Sequence, residues 1–369
     1  MSVEKEIIKI NLNHMKKKYD TQKIKKLDPQ NMLASLELFG KQIEQIWSEF
    51  HSFKLPVDYK QVTNVVVAGM GGSGLGGHLI KSLYKDKMTI PVEVVSDYTL
   101  PAYANEKTLV IICSYSGNTE ETLSVLAEAK MNKTKIVTIS SGGDLAKKSK
   151  TLKIPNIIFS SENNPSAIPR VGLGYSIFAL KIILAKLDQI KLTNQEVKNI
   201  IEVADKYARK FGVMIEQGNV AKKMIEETSE RSMWFVASEH LSANAHIAAN
   251  QTNESGKRFA GYFLLPEMNH HLLEGMFFPV SNKKNILFIF LESDLYSTKI
   301  KKRIQITKNI LKKNGIKYES YICEEKDKIL QAYEIMVFGG FLSFYLAMAK
   351  NINPSAIPYV DYLKKELRK

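Results

Sequence analysis

Several features that define common protein classes are scarce in this sequence of 369 residues. Its two cysteines, Cys113 and Cys323, cannot form a disulfide framework and lack the spacing of a metal site. The N-terminus has no apolar segment of the signal-peptide type, and the longest apolar stretch, residues 338–349, is too short to span a bilayer. These absences predict a cytoplasmic protein with no membrane partner. Cys113 follows an apolar run and is expected to be a small buried side chain.

Charge is abundant but is not concentrated in one region. The formal net charge is +14, and the lysines are spread along the whole chain, often next to glutamates. No recognisable nucleic-acid-binding module accompanies them. An anionic substrate explains a basic chain at least as well, so we expect no nucleic-acid partner.

The N-terminal sixty residues have a helical pattern. Asp28 followed by Pro29 is typical of a helix start. An apolar stripe at helical spacing then runs from Met32 to Phe50, which predicts one helix packed on the core.

From Val62 onward, short β-branched runs alternate with helical stretches, which indicates a parallel sheet covered on both faces. The first series of predicted strands comprises Val65–Ala68, Val92–Val95, Leu109–Ile112, Ile136–Ile139 and Asn156–Phe159. A long helical stretch, Leu180 to about Glu227, with a break near residues 192–194, separates this series from a second one, with strands at Met233–Ala237 and Asn285–Leu291. We therefore expect an α/β protein with an internal duplication.

The predicted architecture has three parts. A helical segment spans residues 1–60, a first domain spans 61–190, and a second domain spans 191–369. Each domain is expected to be a parallel sheet between helices, in three αβα layers.

A hydroxyl-rich turn follows the third predicted strand. Ser114, Ser116 and Thr119 flank Gly117 where the strand gives way to a helix that begins near Glu120. Hydroxyls and free backbone N–H groups at a helix N-terminus, where the helix dipole favours an anion, are suited to a phosphate monoester. The segment therefore predicts a phosphate site.

A glycine-rich turn, Gly69 to Gly74, follows the first predicted strand and contains Gly72 and Ser73. It fits the G-x-G-x-x-G pattern of dinucleotide-binding folds. Such a fold would need an acidic residue after the second strand, for which Asp97 is only a loose match. Because a dinucleotide site would not predict the hydroxyl-rich turn, we favour a sugar phosphate and expect neither a cofactor nor a metal.

Taken together, the two turns resemble the sugar isomerase (SIS) domain. Further segments resemble, in the same order, motifs of the bifunctional phosphoglucose/phosphomannose isomerases, which are double SIS-domain proteins. These segments are Ile168–Arg170, Asn250–Lys257, Pro266–His271 and Tyr362–Leu367. The resemblance runs from about residue 27 to the end of the chain.

The resemblance implies roles for individual residues. Gly72 and Ser73 would bind the substrate phosphate together with the three hydroxyls of the second turn. Glu254 would move a proton between C1 and C2 of the sugar, and Arg170 would stabilise the enediolate. His270 and Lys364 would assist ring opening. In the family this histidine comes from the neighbouring subunit, so the resemblance implies a homodimer.

The sequence departs from the family pattern at three places. His271 and Leu272 replace the usual Asn-Glu, Ser255-Gly256 follows the glutamate, and Ile357-Pro358 precedes the last motif without a threonine. The last departure leaves mannose 6-phosphate open as a second substrate, while the choice between Lys364 and Lys365 also stays open. The implied reaction is the interconversion of glucose 6-phosphate and fructose 6-phosphate. Two alternatives remain: a SIS isomerase for an amino sugar phosphate, and a non-catalytic regulator that binds a sugar phosphate.

Overall fold

Two parallel β-sheets flanked by helices form the protein, as the sequence predicts. The computed structural model describes residues 19–228 and 230–367. The strands of one sheet lie within residues 64–158 and those of the other within 232–322. The predicted domain boundaries at residues 60 and 190 stay a prediction.

Three short helices precede the first sheet: α1 (Thr21–Leu27), α2 (Met32–Glu37) and α3 (Phe39–Phe50). The prediction of one continuous helix from Met32 was wrong, because Leu38 leaves helical geometry with φ −89° and ψ 12°. The carboxylate of Asp28 accepts hydrogen bonds from the backbone N–H groups of Met32 and Leu33, each at 2.9 Å. Asp28 therefore caps α2, although the helix begins at Met32 and not directly after Pro29. Residues 1–18 of the predicted helical segment lie outside the described residues.

The strands of the first sheet are β1 (Asn64–Ala68), β2 (Val92–Val95), β3 (Thr108–Cys113), β4 (Lys135–Ser140) and β5 (Asn156–Ile158). They lie in the order β2-β1-β3-β4-β5, and all are parallel. The helices that connect them are α4 (Gly72–Tyr84), α5 (Glu120–Met131) and α6 (Gly143–Thr151). All six residues of β3 are buried, which is the reason that its apolar run is continuous. Cys113 ends this strand as a buried side chain, as predicted.

Three helices join the two sheets: α7 (Leu173–Lys186), α8 (Asn194–Lys210) and α9 (Val220–Thr228). The break near residues 192–194 is confirmed, because the Thr193 hydroxyl caps α8 by accepting a hydrogen bond from the Glu196 N–H. A second break, between Lys210 and Val220, was not predicted from the sequence.

The second sheet has the order β7-β6-β8-β9 and is also parallel throughout. Its strands are β6 (Ser232–Ala237), β7 (Ala260–Leu264), β8 (Ile286–Glu292) and β9 (Lys317–Ile322). The accompanying helices are α10 (Ser242–Glu254), α11 (Met268–His271), α12 (Asn282–Asn285), α13 (Thr298–Lys313), α14 (Lys328–Ala349) and α15 (Pro358–Glu366). The shared strand order of the two sheets agrees with the predicted duplication.

One continuous apolar core joins the two halves, running from Tyr19 to Met348. Helix α14 is long and apolar enough to cross a membrane by length and composition, but 94% of its most apolar window is buried inside the fold. It is the central core helix. In contrast, α15 has no buried residue.

Candidate active site

The glycine turn and the hydroxyl turn lie side by side at the carboxyl ends of β1 and β3, which are neighbours in the sheet. The Ser73 hydroxyl accepts a hydrogen bond from the backbone N–H of Tyr115 at 3.0 Å, so that it joins one turn to the other. A side chain at Gly74 would place its Cβ 2.5 Å from the Gly69 carbonyl oxygen. Only glycine therefore allows the first turn to close this tightly.

The hydroxyl turn contains two kinds of hydroxyl. Ser114 is buried, accepts a hydrogen bond from the Gly117 N–H at 3.1 Å and donates one to Thr119 Oγ1 at 3.0 Å. Ser116 is exposed, and its hydroxyl accepts a bond from the Asn118 N–H at 3.3 Å. Thr119 immediately precedes α5, and its side chain makes no capping bond to that helix. The N-terminal end of α5 thus faces this turn.

A third turn, residues 141–143 after β4, packs against the hydroxyl turn. Gly117 has φ +69°, and a Cβ there would come within 1.9 Å of the Gly142 carbonyl oxygen. The Ser141 N–H and hydroxyl both donate to the Tyr115 carbonyl, at 2.8 and 2.7 Å. The cradle, defined as the turns of residues 69–74 and 114–119, is therefore held in place by the end of β4.

Arg170 approaches the glycine turn from the short 3₁₀ helix Pro169–Val171. A Cβ at Gly72 would lie 3.3 Å from the Arg170 Cα and 3.4 Å from the Pro169 carbonyl oxygen. This close backbone approach places Arg170 beside the predicted phosphate site.

The Arg170 side chain is buried and extends to the second half of the chain. Its Nη1 lies 3.6 Å from Glu254 Oε2, and its Nε donates to the Ser255 hydroxyl at 2.8 Å. Burial lowers the pKa of the Arg170 guanidinium, and the Glu254 carboxylate opposes this effect. The structure thus brings together two of the four predicted catalytic residues. A carboxylate and a guanidinium therefore lie next to each other at the end of α10.

Ser255 and Lys257 join this group, although neither had a role predicted from the sequence. Ser255 ends α10 and receives the Arg170 hydrogen bond. The Lys257 ammonium donates to the backbone carbonyls of Glu254, Pro354 and Ala356. Two features of the sequence could have pointed to these residues. Ser255 belongs to the departure from the family pattern at Ser255-Gly256, and Lys257 is the lysine of the Asn250–Lys257 motif.

His270 and Lys364 are not joined to this group within one chain. His270 lies exposed on α11, and Lys364 lies exposed on α15. Among the described residues, no hydrogen bond or ion pair connects either side chain to Glu254 or Arg170. Within residues 19–228 and 230–367, no group of three or more His, Cys, Asp and Glu side chains could hold a metal ion.

Comparisons with known proteins agree with this geometry. Residues 58–162 match the SIS domain, and residues 217–367 match the bacterial phospho-glucose isomerase C-terminal SIS domain. A bifunctional phosphoglucose/phosphomannose isomerase from Caldicellulosiruptor bescii is 29% identical over 343 residues, which cover 91% of this chain and 98% of the relative. Relatives with the same name occur in Aquifex, Thermoplasma and Pyrobaculum species.

Two further similarities bear on the fold and the substrate class. A D-glucosamine-6-phosphate 4-epimerase from Sulfolobus acidocaldarius is 26% identical over 237 residues, or 62% of this chain and 70% of that protein. The crystal structure of a hypothetical protein from Thermus thermophilus superposes with a TM-score of 0.75 at 15% identity, covering 98% of this chain and 96% of that one. With two SIS-type sheets, a match to the SIS domain in its first half, a match to the bacterial phospho-glucose isomerase C-terminal SIS domain in its second half, and relatives of one name along most of its length, the chain is a double SIS-domain protein similar to the bifunctional phosphoglucose/phosphomannose isomerases.

Proposed function

We propose that this protein interconverts glucose 6-phosphate and fructose 6-phosphate. The observation that carries the proposal is the pairing of Glu254 with buried Arg170, whose backbone contacts the glycine turn of the cradle. The cradle would bind the phosphate, while Glu254 and Arg170 would act at the other end of the sugar.

The chemistry needs one base and one fixed cation. As a carboxylate, Glu254 would remove a proton from one of C1 and C2 and return it to the other. The negative charge that develops on the enediolate oxygen would be stabilised by the Arg170 guanidinium, which three hydrogen bonds hold in place. Because the cation is already positioned, little reorganisation is required during the reaction.

We also propose that a homodimer completes the site, with His270 supplied by the neighbouring subunit and Lys364 by the same chain as Glu254. Both are exposed in the single chain, and exposed apolar side chains lie near them in sequence. Phe278 is 76% exposed and Tyr359 is 88% exposed, which is unusual for large apolar side chains. A second subunit that covers these surfaces would give His270 a route to the reacting sugar. A cytoplasmic location fits such an enzyme.

The experiment follows the formation of glucose 6-phosphate from fructose 6-phosphate by the purified protein. Glu254→Gln removes the base and keeps the shape of the side chain. We expect kcat to fall by roughly 10²–10⁴-fold, because that is the usual contribution of a general base. Glu202→Gln, an exposed change on α8, serves as the matched control and should leave the rate unchanged.

Two results would contradict the proposal. Turnover that survives in Glu254→Gln would exclude this residue as the base. A wild-type protein that binds fructose 6-phosphate in calorimetry without converting it would be a regulator.

A second candidate substrate class is an amino sugar phosphate. The similarity to the D-glucosamine-6-phosphate 4-epimerase favours including it. Parallel assays with mannose 6-phosphate and glucosamine 6-phosphate, compared by kcat/KM, decide which sugar the enzyme prefers.

A further inference from the structure

Lys257 lies where the catalytic end of α10 meets the segment that leads into α15. It follows Glu254 by three residues and has a left-handed backbone, with φ +52°. That conformation turns the chain back, and the ammonium donates to the Glu254 carbonyl at one side and to the Pro354 and Ala356 carbonyls at the other. One side chain therefore joins two segments about 100 residues apart in sequence.

Arg170 holds the same segment from the first half of the chain. Its Nη2 donates to the carbonyls of Pro354 and Ser355 at 2.9 and 3.1 Å. The side-chain carbonyl of Asn353 accepts hydrogen bonds from the N–H groups of Ser355 and Ala356 at 2.7 and 3.3 Å. We call residues 353–356 the C-terminal turn. Three of its carbonyls, those of Pro354, Ser355 and Ala356, accept from the two cations, and the N–H groups of Ser355 and Ala356 are bonded within the turn.

The C-terminal turn leads directly into the last helix. Helix α15 begins at Pro358, two residues after the turn, and none of its residues is buried. Lys364 lies on this helix, so a displacement of the turn would move that lysine relative to Glu254.

The charge of Lys257 is sensitive to pH close to neutrality. Burial has the largest effect and, with the neighbouring Arg170 guanidinium, lowers the pKa of Lys257 from 10.5 to about 8, while Glu254 opposes the shift. Below that pH the side chain is an ammonium, and it becomes a neutral amine as the pH rises through about 8. Hydrogen bonds from a charged donor are roughly twice as strong as neutral ones, so the tether weakens on the alkaline side.

We infer that Lys257 is a positioning residue for the isomerase reaction: its ammonium joins the Glu254 end of α10 to the C-terminal turn and so aligns the base with the helix that carries Lys364. The inference rests on the proposed function, because it concerns the geometry of that same site. Lys257 itself need not touch the sugar.

The test measures kcat and KM for fructose 6-phosphate between pH 6 and 10 in the full-length protein. Lys257→Met removes the donors, and we expect kcat to fall by about tenfold, the effect of losing one charged hydrogen bond, with a smaller change in KM. Lys257→Arg keeps a cation that does not titrate in this range. It should restore most of kcat and move the alkaline limb of the profile to higher pH.

Lys222 supplies a matched control. It is buried whereas Lys257 is half-buried, its ammonium also donates to backbone carbonyls, those of Val213 and Ile215, and burial also lowers its pKa. Lys222→Met and Lys222→Arg should leave the shape of the pH profile unchanged. An alkaline limb that does not move in Lys257→Arg, or an unaltered kcat in Lys257→Met, would overturn the inference.

Hydrogen exchange separates failure of the inference from failure of the proposed function. Amide protection factors of peptides covering residues 353–366 are measured at pH 7 and 9.5 without substrate. We expect wild-type protection to be higher at pH 7, Lys257→Arg to be protected at both pH values, and Lys257→Met at neither. If the enzyme does not turn over these sugars and this pattern is present, the tether stands and the proposed reaction fails. If protection is the same in all three proteins, the tether is wrong.

Discussion

At the scale of single residues, the hydroxyls of the cradle divide into those that build it and those that face outward. Ser73 and Ser114 are buried, and their oxygens accept backbone N–H groups of the second turn. Ser116 is exposed, and Thr119 is half-buried at the start of α5. The sequence predicts all four as phosphate ligands, and this role stays a prediction. The structure adds that the two buried hydroxyls also maintain the shape of the cradle.

This division predicts different effects of two similar substitutions. Ser114→Ala removes a buried hydroxyl that bonds to the Gly117 N–H and to Thr119 Oγ1, although the Gly117 N–H keeps the Ser114 backbone carbonyl as an acceptor, so the free energy of unfolding should fall by about 0.5–1.5 kcal/mol. Ser116→Ala removes an exposed hydroxyl, so stability should change by less than about 0.5 kcal/mol while KM for the sugar phosphate rises. Urea unfolding and steady-state kinetics on both variants check this. Equal loss of stability in both would refute the distinction.

Residue types in local motifs could be predicted from the sequence, but contacts between distant segments could not. Glu254 and Arg170 were identified because each lies in a recognisable motif. Ser255 and Lys257 act on segments about 85 and 100 residues away, through contacts that no local pattern records. The roles of His270 and Lys364 in ring opening stay predictions, because within the described part of one chain neither side chain is bonded to Glu254 or Arg170.

At the scale of elements, the two sheets end in comparable turns with different chemistry. Ser293 is the first residue after β8, as Ser114 is the first after β3. In the second half, however, Ser293 donates to the buried Gln331 side chain at 2.6 Å. The Glu239 carboxylate accepts the Ser297 N–H at the N-terminus of α13, at 3.1 and 3.3 Å. The second half thus places its own carboxylate at the helix N-terminus that corresponds to the predicted phosphate site of the first half.

Glu239 should therefore stabilise the fold rather than catalyse. A carboxylate that bonds to the N-terminus of a helix is worth about 1 kcal/mol, and we expect Glu239→Ala to lower the free energy of unfolding by that amount. Glu239 has φ +46°, so Glu239→Gly removes the same carboxylate but relieves the backbone and should be less destabilising than alanine. Urea denaturation of the two variants measures the difference. A larger loss in the glycine variant would contradict this explanation.

Strands that are buried on both faces were predicted well, and so were the edge strands β2 and β5 of the first sheet, whereas the two edge strands of the second sheet were missed. Apart from one polar residue at an end of each strand, β1, β3 and β8 are continuous apolar runs, which made them recognisable. Strands β7 and β9 lie at the two edges of the second sheet and are only partly buried. Since a partly buried edge strand needs no continuous apolar run, the hydrophobic pattern of AGYFL and KYESYI was too weak to predict strands there.

At the scale of the whole molecule, the two halves are joined too extensively to act independently. The apolar core is continuous across them. The candidate site also spans both, because Arg170 comes from the first half and Glu254, Ser255 and the C-terminal turn come from the second. Neither half contains the predicted base and its cation together. The cradle lies wholly in the first half, but Glu254 and Arg170 are brought together only when both halves have folded and docked.

We expect the halves to unfold as one cooperative unit, and the chain offers a direct probe of this. Its two tryptophans are Trp47 on α3 and Trp234 in β6, so Trp47→Phe and Trp234→Phe each leave a single fluorescent reporter, one on each side of the molecule. Urea unfolding of each variant is followed by tryptophan fluorescence and by circular dichroism. If the shared core makes unfolding two-state, the two normalised curves of each variant should coincide. Separate fluorescence and circular dichroism midpoints in either variant would show that the halves unfold independently. The site would then depend on docking of two stable domains rather than on a single folding event.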